Sequence, residues 1–454
     1  MPKAALFAAV LLVSALSLQA QQVRRNYIES RSRRLQNLIL GISLRAAITA
    51  LAIVFVLMVV VTQTAQAQTY KVLYNFTGGQ GGQIPVAGLT MDKAGNLYGT
   101  TEFGGSADQG TVFKLSHKGS GWVFSPIYSF QGGPDGAEPT ARVIIGPDGS
   151  LYGTTNVGGG NGCYEGLGCG TIFNLRPPPR ACKTALCPWT ETVLYRFTGG
   201  SDGGSPGIAD LIFDAGNLYG TTGNGGMAGC NGNGCGVVYK LVPYGGGWME
   251  SVLYSFTGGN DGGNPNGGVT FDQSGNLYGV AASGGSVGRG TVYELTPSGS
   301  GWVENVLYDF NSGASGREPI GTPIFDGSGN LDFATTIDTF NEAGTVYQLT
   351  KSNNNWTLGN LAVLSHQFVS GGVVLDAADN VYDTATGDGR NTYGTVFMLP
   401  SGSWTEVVLH SFTSDCMNGC EPEGGVLLDA KGNIYGTTVS GGPYDAGVVW
   451  EITP

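Results

Sequence analysis

Eight cysteines stand in four close pairs: Cys163 with Cys169, Cys182 with Cys187, Cys230 with Cys235, and Cys416 with Cys420. Thiols spaced this tightly either ligate zinc or oxidise to disulfides that staple loops. The CNGNGC run has metal-like spacing, but His117, His366 and His410 lie far from it and from one another. Four local disulfides are therefore the expectation, which implies an oxidising compartment. A second recurrent signal is acidic. FQGGPDGAEP, FTGGSDGGSP and FTGGNDGGNP place Asp135, Asp202 and Asp261 four residues before a proline. A glycine-flanked aspartate shapes a turn by accepting backbone N–H groups, or offers its carboxylate to a ligand from a loop. These three are the candidate ligand-binding residues.

Other chemistry is weaker. Ser286 sits in a G-x-S-x-G match, but no helix follows it, and a chain with 78 glycines makes such matches by chance. The arginines from Arg142 onward (also 176, 180, 196, 289, 317 and 390) recur at no fixed place, so no arginine cluster for a sialidase-type site is expected. No catalytic residue, metal ligand or cofactor is assigned.

The elements that position these residues follow from a repeated phrase. FDQSGNLYG (271–279) has echoes in MDKAGNLYG, IGPDGSLYG, FDAGNLYG, FDGSGNLDF, LDAADNVYD and LDAKGNIYG. Its asparagine or substitute falls at Asn96, Ser150, Asn217, Asn276, Asn330, Asn380 and Asn433, at spacings of 50 to 67 residues. That period suits a four-stranded propeller blade. In the clearest unit the strands read GVTFD (268–272), NLYGVAA (276–282), GTVYEL (290–295) and GWVENVLYDF (301–310), named A to D. β-branched and aromatic residues fill the runs; Gly, Asn, Asp and Ser fill the gaps.

Runs such as VLYSF (252–256) are apolar on both faces, as in a blade sandwiched between two others. A tryptophan recurs near the start of strand D, at Trp122, Trp189, Trp248, Trp302, Trp356 and Trp404, and reads as a wedge between blades. The A–B hairpin explains the phrase: Asp272 accepts backbone N–H bonds, and Gly275 supplies positive φ, with Asp379 at the equivalent place in the sixth unit. A calcium role for that aspartate lacks the other oxygen ligands nearby. The repeats begin with a lone strand D, YKVLYNF (70–76), and finish on a strand C, GVVWEIT (447–453). The expected fold is all-β: a seven-bladed β-propeller of four-stranded blades, closed by the N-terminal strand completing the last blade.

Residues 1–67 stand outside the repeats. They carry seven basic residues, one acid and the apolar runs at 4–19 and 46–61, and read as a signal peptide cleaved after Ala67 or as a membrane anchor. Membrane contact is expected only through this segment, if it stays uncleaved. Either way the ring, residues 68–454, is exported: extracellular, periplasmic or at the cell surface. Without that segment the net charge is -18, which argues against nucleic acid as a partner.

GNLYGTT, GTVYEL, W-x-E-x-VLYSF and FTGG-x-DGG-x-P together resemble the bacterial tandem-repeat family called GloVer over residues 70–454. The resemblance implies export and repeat architecture; it supplies no catalytic residues. The expected function is a non-catalytic binding or interaction module for an extracellular glycan or protein. The alternative is a polysaccharide-acting hydrolase or lyase with carboxylates gathered at the axis.

Overall fold

In a computed structural model the repeats form seven antiparallel sheets arranged as a seven-bladed β-propeller. The structure describes residues 68–454 except 120, 161, 164–165, 180–187, 208, 228, 300, 312–315, 338–343, 354, 365–366, 370 and 388–392, together with Ser17 and Gln19. The expected signal or anchor segment and the Cys182–Cys187 pair lie outside the described residues.

Strands A to D are Thr90–Met91, Leu97–Thr101, Thr111–Lys118 and Gly121–Ser129 in blade 1. In blade 2 they are Ile144–Ile145, Leu151–Thr155, Thr171–Arg176 and Thr190–Arg196. In blade 3 they are Ile212–Asp214, Asn217–Thr222, Val237–Tyr244 and Gly247–Ser255. Blade 4 has Thr270–Phe271, Leu277–Ala281, Thr291–Ser298 and Gly301–Asp309. Blade 5 has Arg317–Phe325, Leu331–Ile337, Thr345–Ser352 and Asn355–Val363. Blade 6 splits its inner strand into Gln367–Val369 and Val374–Leu375, followed by Val381–Gly387, Thr395–Leu399 and Val407–Ser411. Blade 7 takes Leu427–Leu428, Ile434–Thr438 and Val448–Thr453 from the end of the chain and Thr69–Asn75 from its start. The closing pair runs from Thr69 opposite Thr453 to Asn75 opposite Val448, as expected. Among the described residues no helix is long and apolar enough to cross a membrane.

Two strand boundaries of blade 4 differ from the sequence reading by more than one residue. Strand A of blade 4 is only Thr270–Phe271, because Gly267 and Gly268 are used in close backbone contact at the axis. Strand C runs on to Ser298, making a tight hairpin in which Ser298 faces Gly301.

The repeated phrase does two jobs. In the A–B hairpin, Asp272 Oδ1 accepts the N–H groups of Ser274 (2.8 Å) and Asn276 (2.9 Å), and Gly275 has φ +84°. Asp379 takes the same left-handed place at φ 58°. The tyrosine of the phrase reaches back to the same acid: Tyr98 to Asp92 at 3.0 Å, Tyr278 to Asp272 at 3.2 Å, Tyr435 to Asp429 at 3.2 Å. Burial works against ionisation of Asp272, but these hydrogen bonds outweigh it and hold its carboxyl below the usual range.

That tyrosine also meets the recurrent tryptophan of the next blade edge-on. Ring centroids lie 6.2 Å apart for Tyr98 and Trp189, 6.4 Å for Tyr152 and Trp248, 6.1 Å for Tyr278 and Trp356, and 6.5 Å for Tyr435 and Trp122. The core is thus a set of interblade layers. In one, Tyr219, Val238 and Phe256 of blade 3 pack on Leu277, Tyr293 and Leu295 of blade 4, with Trp302 at the edge. Aromatic side chains of this size each bury a large area between blades.

Candidate functional site

At the start of strand A, and within it in blade 5, the chain passes the ring axis, where it lines a cavity of about 410 Å³. The residue preceding the core position of strand A is Gly88, Gly268, Gly372 or Gly425 in four blades and Thr322 in a fifth. In the remaining two, neighbouring blades 2 and 3, it is Arg142 and Asp210. The small residues are needed because the segments touch by backbone: a Cβ on Gly88 would lie 2.8 Å from the Gly425 carbonyl oxygen.

Arg142 donates to Asp210 Oδ2 from Nε (2.9 Å) and Nη2 (2.6 Å), and its backbone N–H donates to Oδ1 (3.0 Å). The pair is half-buried and mutually neutralised. Thr322 Oγ1 accepts the Gly268 N–H at 3.0 Å, and Thr140 Oγ1 donates to the Gly207 carbonyl at 2.6 Å. The second acid of the cavity is Glu423, whose carboxyl is pushed up by burial and then by Glu421. Burial, Glu138 and Glu423 do the same to Glu102, so one side of the rim is acidic. The other side is rich in amides. A second hollow of about 320 Å³ is lined by Asn156, Asn224, Asn264 and Asn266, and Asn266 lines both cavities. The Asn266 Oδ1 is buried without a hydrogen-bond partner. Among the described lining residues of the axial cavity there is no aromatic side chain. Such a site offers hydrogen-bonding groups and small-residue walls to a ligand. Its described lining holds one carboxyl without a basic partner, Glu423, where paired-acid chemistry across the cavity needs two.

Asp135, Asp202 and Asp261 lie in the D–A loops of blades 1, 2 and 3, at equivalent positions on consecutive blades, and none lines the axial cavity. Each Oδ2 accepts the hydroxyl of the strand D tyrosine of its own blade, Tyr128, Tyr195 or Tyr254, at 3.0 Å. Each also accepts the N–H four residues earlier, from Gln131, Thr198 or Thr257, at 2.9, 2.9 and 2.8 Å. The Thr198 and Thr257 hydroxyls donate to the Oδ1 atoms of Asp202 and Asp261 at 2.5 Å. The carboxylates are therefore engaged in shaping their loops.

Among the described residues three disulfides are formed: Cys163–Cys169, Cys230–Cys235 and Cys416–Cys420. The first two close B–C loops against the D–A loop that follows in the same repeat: a Cβ on Gly258 would lie 2.7 Å from the Cys230 sulfur. The third lies within a D–A loop, which bridges to the B–C loop of blade 7 through Cys420 and Ser440. Loops and disulfides thus share one face. Loops of four to six residues contribute about 2 kcal/mol each in the chain-entropy picture. Reduction is expected to lower the melting temperature only modestly while opening residues 161–169 and 229–235 to proteolysis. Mass mapping of cleavage sites with and without reductant checks this, and identical digests would remove the loop-guarding role.

Ser286 occupies a B–C turn, where its backbone N–H caps Asp309 at 3.1 Å. The Arg142–Asp210 pair escaped the motif reading. Its signal was the alignment of TARVI and IADLI with VAGLT and NGGVT, in which neighbouring repeats replace one glycine column by opposite charges.

Comparison with curated proteins finds no match. Solved structures of low identity resemble the chain. One is the extracellular domain assigned to a hybrid two-component system from B. thetaiotaomicron (11% identity, TM-score 0.49), matched over 84% of this chain and 39% of that one. The present chain therefore spans well under half of that structure's length. A Trichoderma reesei member of carbohydrate-active enzyme family AA12 matches at 10% identity and TM-score 0.39, over 86% and 96% of the two chains. A protein from Lactobacillus plantarum matches at 14% and 0.43, over 76% and 95%. These values carry the likeness no further than the fold. The family model described as the Gloeobacter/Verrucomicrobia repeat matches residues 57–232 and 183–335, more than half of the chain, and the protein belongs to that family.

Proposed function

We propose that this protein is an exported, non-catalytic binding module for an extracellular glycan or protein, and that its ligand sits on the face carrying the D–A and B–C loops. The observation that carries this reading is the axial cavity, with its glycine and threonine walls, its neutralised Arg142–Asp210 pair and its rim of amides and loops. Rigid scaffolds ordinarily present recognition groups from such loops. Asp135, Asp202 and Asp261 contribute by holding three consecutive loops in position. Paired-acid hydrolysis or elimination is disfavoured because Asp210 is held by Arg142. Export is supported by the disulfides, since reducing compartments keep thiols free, and by the two apolar runs in residues 1–67.

The test is a screen of residues 68–454 against a glycan panel and cell-surface protein fractions, with reducing-end release measured alongside binding. Binding without release is expected. The triple change Asp135→Ala, Asp202→Ala, Asp261→Ala should weaken it about tenfold, a loss of about 1.4 kcal/mol. It should cost less stability than Trp302→Ala, for which about 3–5 kcal/mol is typical. Release of reducing ends would overturn the non-catalytic reading. Unaltered binding by the triple variant would move the site off these loops.

A further inference from the structure

Strand D of blades 2, 3 and 4 carries a glutamate two residues after its tryptophan: Glu191, Glu250 and Glu304. Each is half-buried, and in each the Oε1 atom is shut off from solvent with no hydrogen-bond partner. The D–A loop acid of the preceding blade, tied to its own strand D tyrosine at 3.0 Å, is the charge that acts on each: Asp135 on Glu191, Asp202 on Glu250, Asp261 on Glu304. Two carboxyls thus share a partly dry interface three times over, an arrangement that disfavours double ionisation.

The other interfaces act as an internal control. Between blades 7 and 1 the aspartate position is Gly81 and the glutamate position is Phe124, which stacks on Tyr74 at 4.0 Å. In the repeat sequence the aspartate column ahead of blade 5 reads serine, at position 315, and the glutamate column of blade 5 reads Leu358. Between blades 6 and 7 the residue four before the proline is Asn418, whose carbonyl oxygen accepts the Tyr70 hydroxyl at 2.6 Å, and the strand position is Tyr70, which stacks on His410 at 3.7 Å. In these three interfaces both acids are absent together, and an apolar or aromatic residue fills the strand position. Glu406 of blade 6 departs from the pattern: it has no aspartate at the equivalent place in the short loop before it. Since Phe124, Leu358 and Tyr70 show that the site accepts a carbon side chain, packing does not require the acid.

We infer that the interfaces between blades 1 and 2, 2 and 3, and 3 and 4 are proton-operated locks. Each closes when its Asp–Glu pair holds a proton and loosens when both carboxyls are ionised. The arc bearing the three Asp loops therefore stiffens in mild acid. The inference concerns the interfaces themselves and stands whether or not those loops bind a ligand.

The groups facing each glutamate support the assignment. Around Glu191 are Asp135 and Tyr128 of blade 1, with Arg196 on its own strand opposing the shift. Around Glu250 are Asp202 and Tyr195 of blade 2, with Tyr239 of blade 3 behind it. Around Glu304 are Asp261 and Tyr254 of blade 3, with Tyr293 of blade 4 behind it. Burial first, and then the facing aspartate, pushes all three glutamates up to about 7. A carboxyl raised in the folded state binds its proton before the unfolded one does. Its stabilisation is complete below the unfolded value and is lost as pH rises through about 7. Asp332 and Asp383, buried in blades 5 and 6, are also pushed up to about 7, so the test must isolate the locks.

Thermal and denaturant unfolding from pH 5 to 8.5 at constant ionic strength would compare the protein with Glu191→Gln, Glu250→Gln, Glu304→Gln, whose amides mimic the protonated state. The triple variant should match the parent near pH 5 and melt about 3 °C or more above it at pH 8.5. At pH 6 its folding should take up about two to three fewer protons. Equal pH slopes, or a lower melting temperature at pH 8.5, would overturn the inference. If the triple variant does not fold, Glu304→Gln alone is read by hydrogen exchange in Gly301–Asp309. Slower exchange than the parent at pH 8.5 supports the lock, and unchanged exchange overturns it.

Discussion

Deleting residues 69–76 is expected to lower the melting temperature by more than about 10 °C, or to drive the protein into aggregates. The deleted strand is the outer strand of blade 7, paired with Val448–Thr453 over its whole length. It also carries Phe76, fully buried in the layer between blades 7 and 1, and Tyr70, stacked on His410 of blade 6. Each large side chain of this kind is worth about 1.5–3 kcal/mol of burial. The Phe76 N–H to Gly447 carbonyl bond, 3.0 Å, would be lost with them. What remains is an open edge on Val448–Thr453 facing solvent, a template for pairing with another chain. Calorimetry with size-exclusion chromatography would show the loss. Adding the peptide of residues 68–77 should restore part of the melting temperature, because the edge it completes is already formed. A deletion that melts like the parent would mean that the ends do not meet.

How much of this was legible in the sequence depends on the distance over which the residues act. The hairpin of Asp272, Gly275 and Asn276 is local, so residue type and order sufficed to read it, and seven copies fixed the blade count. Closure was legible because a lone strand D and a strand C without a D stand at opposite ends of the repeats. The second job of the phrase was hidden: Tyr98 meets Trp189 in the next blade, and nothing within either repeat marks the other. For Asp135, Asp202 and Asp261 the glycines around them allow both a turn-shaping and a ligand-facing reading. Sequence does not show the strand D tyrosine seven residues earlier turning back onto the same oxygen. The Asp–Glu interfaces were missed for the same reason: Asp261 and Glu304 are 43 residues apart, and each looks ordinary alone. The axis was the least legible part, since Gly268 reads as the start of a strand when it and Gly267 are the point where neighbouring blades touch.

That axial contact sets the second large effect, a sharp difference between two Gly→Ala changes. A Cβ on Gly267 would fall inside the contact distance of the Gly321 carbonyl group and 3.0 Å from the Gly321 Cα. The obstructing atoms are backbone of the next blade, not the far end of a flexible side chain, so relief requires moving a segment that itself lies against Gly371 and Gly372. Gly267 does not lie in the left-handed region, so alanine adds no conformational strain and the effect is purely one of space. The Thr221 hydroxyl also donates to the Gly267 carbonyl at 2.8 Å, tying the segment to blade 3 and limiting how far it can shift. Overpacking of this kind costs about 1–3 kcal/mol and more where the surroundings cannot yield. Gly121, in the C–D hairpin of blade 1, has nothing within 4 Å of where its Cβ would stand. Gly267→Ala should therefore melt about 5 °C or more below the parent, and Gly121→Ala within about 1 °C of it. Because Gly267 also lines the axial cavity, ligand binding found in the panel should weaken in the first variant and not in the second. Equal melting of the two would mean that the blades do not meet by backbone at the axis, and the cavity walls would have to be sought in side chains instead.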